Sequence, residues 1–309
     1  MNRFGHWMRP VRLALWCTLL TLATSTAAIN AAPAAGIELP PLVQPANDEH
    51  HPGKVIWADL VTPDLNQAEH FYAGLFGWTF QSVAGDPNYA VALMDGEAVG
   101  GLLQRAIPAG QHRQPAWLTF IAVGDVDAVK RSALAHGAKV LAEPKTYAQR
   151  GRQAVFADPD GAVFAVLASS SGDPPDVLAA PGEWLWSSLL VKNADQEVAF
   201  YHSLFAYDIF DLPSDDNSKH VILSSGDFAR AGVTALPGDS MRRHPHWLNF
   251  VRVQDAEASS AKAVELGGRV LVEPRMDRHG GKLAVVADPS GAPVGLMEWS
   301  DTDSQEQPQ

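Results

Sequence analysis

The chain has 309 residues, 46% of them hydrophobic, so a packed core is expected and wholesale disorder is excluded. Its formal net charge of −12 disfavours a nucleic-acid backbone or an anionic membrane surface as partner, because both are held by concentrated Lys and Arg. The length sets an expectation of about two domains.

Residues 1–32 read as a secretory signal. Arg3, Arg9 and Arg12 precede the apolar "LALWCTLLTL" of 13–22, and small residues follow in "ATSTAAINAAPAA", 23–35. The apolar run is too short to span a bilayer, and its flanks suit cleavage near Ala27 to Ala32. Cys17, the sole cysteine, lies inside that run behind Leu15 and Trp16, not behind the small residues a lipidation signal uses. The processed chain would then have no cysteine, hence no disulfide, thiolate metal site or cysteine nucleophile. A periplasmic or secreted location is expected, with no membrane attachment once the signal is removed.

Residues 33–53 are rich in Pro and polar groups and read as a linker. His50 and His51 there could meet a metal, but paired histidines on a linker are more often solvated. Residues 54–170 form a first domain, 171–182 a second linker, 183–300 a second domain and 301–309 a polar tail. In the first domain a strand at 55–61 precedes a helix capped by Asp64 or Asn66 that runs to about Phe76. Ala68, Phe71, Tyr72 and Leu75 give that helix an apolar face. Strands follow near 78–83, 88–94 and 98–104. The order then restarts: strand 116–123, helix 125–136, strands 138–142, 152–157 and 162–168. This is βαβββ, twice.

The second domain repeats the first. "FYAGLFGW" (71–78) matches "FYHSLFAY" (200–207), "WLTFIAVGDVDA" (117–128) matches "WLNFVRVQDAEA" (247–258), "GAKVLAEP" (137–144) matches "GGRVLVEP" (267–274) and "AVFADPDGA" (154–162) matches "AVVADPSGA" (284–292). So many ordered matches imply an internal duplication of a whole domain. The expected fold is α+β: two tandem domains, each a pair of βαβββ modules forming a curled mixed sheet with helices on its outer face.

The "DPDG"/"DPSG" turn, the "FY-x-x-LF-G/A-W/Y" helix end and the paired βαβββ modules resemble the vicinal oxygen chelate superfamily, the glyoxalase/bleomycin resistance protein/dioxygenase-like group, in its tandem form. The resemblance covers about 53–170 and 182–300. Metal-using members take ligands, usually His and Glu, from the first and last strands of each module. Carried over, those places fall on Trp57, Trp117, Trp186 and Trp247, and on Gly100, Ala165, Ala231 and Gly295. None of these can hold a divalent ion, whereas a catalytic site needs about three protein ligands. No metal and no other cofactor is therefore expected.

By strand alternation, each of the four tryptophans is expected to face the hollow of its sheet. Trp57 would bring Asp59, Trp117 would bring Thr119, Trp186 would bring Ser188 and Trp247 would bring Asn249. Leu118, Phe120, Leu248 and Phe250 would face the helices. Each cleft would hold two indoles and two hydrogen-bonding groups, fit for a small, partly aromatic or apolar molecule. The competing reading is that the indoles fill a cavity emptied of metal. Asp59, if dry, would be raised in pKa and could act as a base, or it could pair with an Arg or a backbone amide.

"RRHPHW" (242–247) carries His244 and His246, with His246 expected to point away from the cleft. The hairpins "YAQRGRQ" (147–153) and "MDRHGGK" (276–282) carry Arg150, Arg152, Arg278 and Lys282 and could cover a cleft mouth and attract anions, or be soluble turns only. Two other classes stay open: a metal-dependent lyase, isomerase or dioxygenase with relocated ligands such as His112, Glu143, His244 or His246, and a non-catalytic scaffold with filled clefts. Whether a reaction is catalysed stays open. Duplication supplies within one chain what single-domain relatives obtain by dimerising, so a monomer is expected.

Overall fold

The computed structural model describes residues 38–106, 114–213, 219–236, 244–277 and 280–299. The expected signal segment, His112, Arg278 and residues 300–309 lie outside the described residues.

The first repeat runs β1 (Val55–Thr62), α1 (Leu65–Phe76), β2 (Thr79–Val83), β3 (Asp86–Met94), β4 (Glu97–Gln104), β5 (Ala116–Ala122), α2 (Val126–Ala135), β6 (Lys139–Tyr147), β7 (Gly151–Ala157) and β8 (Val163–Ser169). The second runs β9 (Trp184–Val191), α3 (Ala194–Phe205), β10 (Asp208–Leu212), β11 (His220–Ser225), β12 (Phe228–Ala235), β13 (His246–Arg252), α4 (Ala256–Glu265), β14 (Arg269–Met276), β15 (Lys282–Ala287) and β16 (Pro293–Met297). Each repeat forms one eight-stranded sheet, ordered β2-β3-β4-β1-β5-β8-β7-β6 and β10-β11-β12-β9-β13-β16-β15-β14. The fold is α+β, two tandem copies of paired βαβββ modules.

Every helix starts on a short polar side chain that accepts a hydrogen bond from an otherwise orphaned amide: Asp64, Asp125, Asn193 and Asp255. Helix α1 stops at Gly77, whose φ of 79° lies in the left-handed region that glycine adopts freely. Helix α3 stops the same way at Ala206, with φ 53°, although alanine pays a steric cost there.

The helix-covered faces of the two sheets look at each other. One core cluster joins Ile121, Val129, Phe156 and Phe164 of the first repeat to Leu189, Val198, Tyr201 and Trp247 of the second. The other joins Leu60, Phe71, Tyr72 and Trp117 to Val251, Ala263, Val286 and Leu296. The outer faces expected from the sequence are thus the inner layer of the whole molecule. At its centre the Thr119 hydroxyl donates to Asn249 Oδ1 at 3.1 Å.

The motifs that repeat in sequence meet across this layer. Trp117 Nε1 donates to the Tyr72 hydroxyl (2.9 Å), which donates to Asp288 Oδ2 of the other repeat (3.3 Å). Trp247 Nε1 donates to Tyr201 (2.9 Å), which donates to Asp158 Oδ2 (3.1 Å). Each aspartate opens a "DPxG" turn, and its other oxygen accepts the turn's amides, Gly161 and Ala162 or Gly291 and Ala292. The tyrosine of one "FY" unit is thereby latched to the turn of the opposite repeat.

Residues 38–53 are not a free linker, because apolar side chains among them find a surface to cover. Leu39 and Leu42 are buried with Trp57, Tyr89, Val91 and Phe120, so this strap lies over the concave face of the first sheet. The amides of Leu42 and Val43 donate to Ser171 Oγ, and Asn47 donates to the Ser171 carbonyl. The second linker is tied in as well. Asp176 pairs with both terminal guanidinium nitrogens of Arg230 (2.6 and 3.0 Å), with Lys54 (2.9 Å) and with His51 (3.3 Å).

Candidate functional site

The central strands decide which side chains line each hollow. In the first sheet β1 and β5 pair antiparallel, with Trp57 opposite Phe120 and Asp59 opposite Leu118. Residues opposed in this way share a face. The concave face of the first repeat therefore carries Trp57, Asp59, Leu118 and Phe120, together with Gly101, which neighbours Asp59, and Ala165, which neighbours Phe120. Trp117 and Thr119 lie on the other face, in the layer between the repeats. In the second sheet Trp186 opposes Phe250 and Ser188 opposes Leu248, so these four share the hollow and Trp247 and Asn249 do not.

The expected set of eight is thus split. Trp57, Asp59, Trp186 and Ser188 line the clefts. Trp117, Thr119, Trp247 and Asn249 are interior, and Leu118, Phe120, Leu248 and Phe250 replace them. The helix caps explain the error. Trp57 and Trp186 stand seven residues before their caps, Asp64 and Asn193, but Trp117 and Trp247 stand eight before Asp125 and Asp255. A one-residue offset reverses the face of a strand. The same reversal puts His246, opposite Leu190, on the concave side rather than away from it. It belongs to a row that continues through Thr234 to His220, whose ring contacts the Thr234 hydroxyl at 3.2 Å.

In the first cleft Asp59 Oδ1 accepts from Trp57 Nε1 (2.7 Å) and from the Tyr89 hydroxyl (2.8 Å). Burial raises the Asp59 pKa, while the charge of Arg150 and the two hydrogen bonds pull the other way. Arg150 is 1% exposed, so the reading of its hairpin as a solvated turn fails for this residue. Its guanidinium carbon sits 4.1 Å from the centre of the Trp57 ring, and its Nε donates to the Pro40 carbonyl of the strap at 2.7 Å. Tyr89 and the inward turn of Arg150 were not read from the sequence. The tertiary approach of a hairpin, and of β3 from beyond β4, to the side chains of β1 creates both.

The second cleft is built differently. Trp186 Nε1 donates to Ser188 Oγ at 3.1 Å, the counterpart of the Trp57–Asp59 bond. Leu248, Phe250, Val285 and Met297 form an apolar floor beside the half-buried Trp186 and Leu190. That cluster consists of sheet residues alone among those described, with nothing equivalent to Leu39 or Leu42 upon it. Two open surface depressions, of about 440 and 300 Å³, lie elsewhere. One is between α4 and β14, the other beside the end of α1 and the start of α4.

The donor set at the metal positions of the resembling superfamily does not fit a divalent ion. The concave places on the central strands include Trp57, Asp59, Gly101, Leu118, Phe120 and Ala165 in one repeat and Trp186, Ser188, Gly232, Leu248, Phe250 and Gly295 in the other, with Gly101 and Gly232, not the expected Gly100 and Ala231, in register with Asp59 and Ser188. Asp59 is the one carboxylate among them, and an indole and a phenol already occupy one of its oxygens. The relocated candidates do not converge either: Glu143 pairs with Lys130, and among the described residues no group of three His, Cys, Asp or Glu side chains is arranged to hold a metal ion.

Comparison with known proteins adds the ancestry. Residues 54–166 match the Glyoxalase/Bleomycin resistance protein/Dioxygenase superfamily, and residues 188–297 match a Glyoxalase-like domain. Over 257 residues the chain is 30% identical to the "Putative glyoxylase CFP32" of Mycobacterium bovis, covering 82% of this chain and 98% of that one. It is 34% identical over 264 residues to the anthracycline biosynthesis protein DauV of Streptomyces sp. (strain C5), covering 80% and 94%. The Mn(II)-bound glyoxalase from Novosphingobium aromaticivorans superposes with a TM-score of 0.58 at 18% identity, over 81% of this chain and 83% of that one. The 2,3-dioxygenase LapB from Pseudomonas sp. KL28 superposes at 0.57 with 14% identity, over 81% and 93%. At these identities the two structures speak for the fold alone. With both repeats matched and relatives aligned along nearly their whole length, the chain belongs to the glyoxalase/bleomycin resistance protein/dioxygenase superfamily, the vicinal oxygen chelate group, in two tandem copies.

Proposed function

We propose that this is an exported, metal-free member of the superfamily that binds a small, partly aromatic or apolar molecule on the concave face of its second repeat. The observation that carries the reading is the difference between the two cleft indoles. Trp57 is 3% exposed under the strap, whereas Trp186 is half-buried on a floor of Leu248, Phe250, Val285 and Met297. An exposed indole edge beside an apolar floor, with Ser188, Thr234, His220 and His246 on the same face, is the usual composition of a small-molecule site. The kinship to DauV, an anthracycline biosynthesis protein, supports a flat fused-ring ligand, since an anthracycline is such a molecule. Export rests on the basic and apolar pattern of residues 3–22.

Titration with quinizarin, a flat dihydroxyquinone, tests the reading through indole fluorescence. Saturable quenching is expected, weakened about tenfold or more in Trp186→Ala, the loss of one stacking partner. Trp57→Phe should leave it intact. Equal quenching in Trp186→Ala and the unaltered protein would defeat the site assignment. A stoichiometric divalent ion in the purified protein would defeat the metal-free part. In the first repeat Leu39 and Leu42 cover the hollow, so the quinone is not expected to report on Trp57.

A further inference from the structure

The strap over the first repeat leaves one buried group unserved. Arg150 is almost fully enclosed, yet its Nη2 has no hydrogen-bond partner among the described residues. A buried guanidinium normally uses its fork of donors on a carboxylate or several carbonyls. Here it receives one carbonyl, from Pro40, at its Nε and stacks on the Trp57 ring. Asp59 does not complete it: the hydrogen bonds that Asp59 accepts come from Trp57 and Tyr89.

We propose that the first cleft is a second ligand site, for a small carboxylate with a flat apolar body, held shut by residues 38–43 until the ligand displaces them. The strap imitates such a ligand. Its Pro40 carbonyl stands where one carboxylate oxygen would lie, and Leu39 and Leu42 occupy the apolar space against Trp57, Phe120, Ala165 and Leu167. A carboxylate would take both Nε and the unserved Nη2 in the two-pronged geometry that a single carbonyl cannot supply. The strap is replaceable because it forms no strand. Over residues 38–43 its polar anchors are the Pro40 carbonyl and the two amides on Ser171 Oγ. The site is separate from Trp186, so it stands or falls independently of the proposed function.

Benzoate, with benzyl alcohol as its neutral counterpart, tests this by calorimetric titration, in the Trp186→Ala background so that the second cleft does not contribute. The double variant Leu39→Ser/Leu42→Ser should bind benzoate about tenfold tighter or more, because a larger fraction of molecules is open before the ligand arrives. Benzyl alcohol should bind far more weakly than benzoate, and Arg150→Met should erase that preference. In the unaltered protein, benzoate should speed hydrogen exchange at the Leu42 and Val43 amides, a readout that does not depend on any variant folding. Equal benzoate affinity with and without the strap leucines would overturn the proposal. So would equal binding of benzoate and benzyl alcohol, or exchange at Leu42 and Val43 that benzoate leaves unchanged.

Discussion

Trp57 and Trp117 look alike in the sequence, yet one lines a hollow and the other supports the joint between repeats. Their different duties predict different losses. Trp117→Phe keeps an aromatic ring but removes the Nε1–Tyr72 bond, and should cost about 1 kcal/mol in urea unfolding. Trp117→Ala should cost about 3–5 kcal/mol, because it opens a cavity among Tyr72, Trp78 and Trp184. Glu197 makes a sharper case. It is fully buried on α3 where α1 has Ala68, and its Oε2 has no hydrogen-bond partner among the described residues. Burial, reinforced by the charge of Asp158, pushes it up to about 8 from an ordinary 4.5. Asp158 itself is pushed up to about 6 by burial. The folded state therefore holds protons that the unfolded chain releases. The associated stability is full below about pH 4 and is lost as pH rises toward about 8. Unfolding midpoints measured between those limits should fall with pH, and Glu197→Gln should flatten the slope and be the more stable protein at the alkaline end.

Among the elements, the helices and strands lie close to where periodicity and caps place them, because each signal is local: a polar cap, an apolar stripe, a turn glycine. The αL stop shows how fine that reading can be. Ala206 does with φ 53° what Gly77 does with φ 79°. Ala206→Gly should raise stability by up to about 1 kcal/mol, seen as a higher melting temperature, while Gly77→Ala should lower it. The strap was not legible, for the converse reason. Leu39 and Leu42 sit among prolines and polar residues with no period, and only the concave sheet they cover gives them a role. The burial of Arg150 was no more legible: a hairpin arginine is ordinarily solvated, and nothing near it in sequence announces Trp57.

For the molecule as a whole, the two repeats share their cores. Each principal cluster draws on both, and the Tyr72–Asp288 and Tyr201–Asp158 bonds cross between them. A repeat expressed alone would expose half of each cluster. One cooperative unfolding transition is therefore expected, with calorimetric and van't Hoff enthalpies equal. Residues 38–180 and 181–309, expressed as separate chains, should each be insoluble or unfolded alone and should co-purify when expressed together. Two separate transitions, or a soluble, folded first repeat, would contradict a shared core.

The amino-acid order alone determined the duplication, the βαβββ grammar and the family likeness, because those depend on residues near one another along the chain and on their recurrence. Only the tertiary structure decided which indoles line a cleft, since facing depends on which residue of β5 lies opposite which residue of β1, and a single step reverses it. It alone decided that one hollow is covered and that the other, among the described residues, is lined by the sheet alone, since the strap and Arg150 reach Trp57 through space and not through the pattern of its own strand.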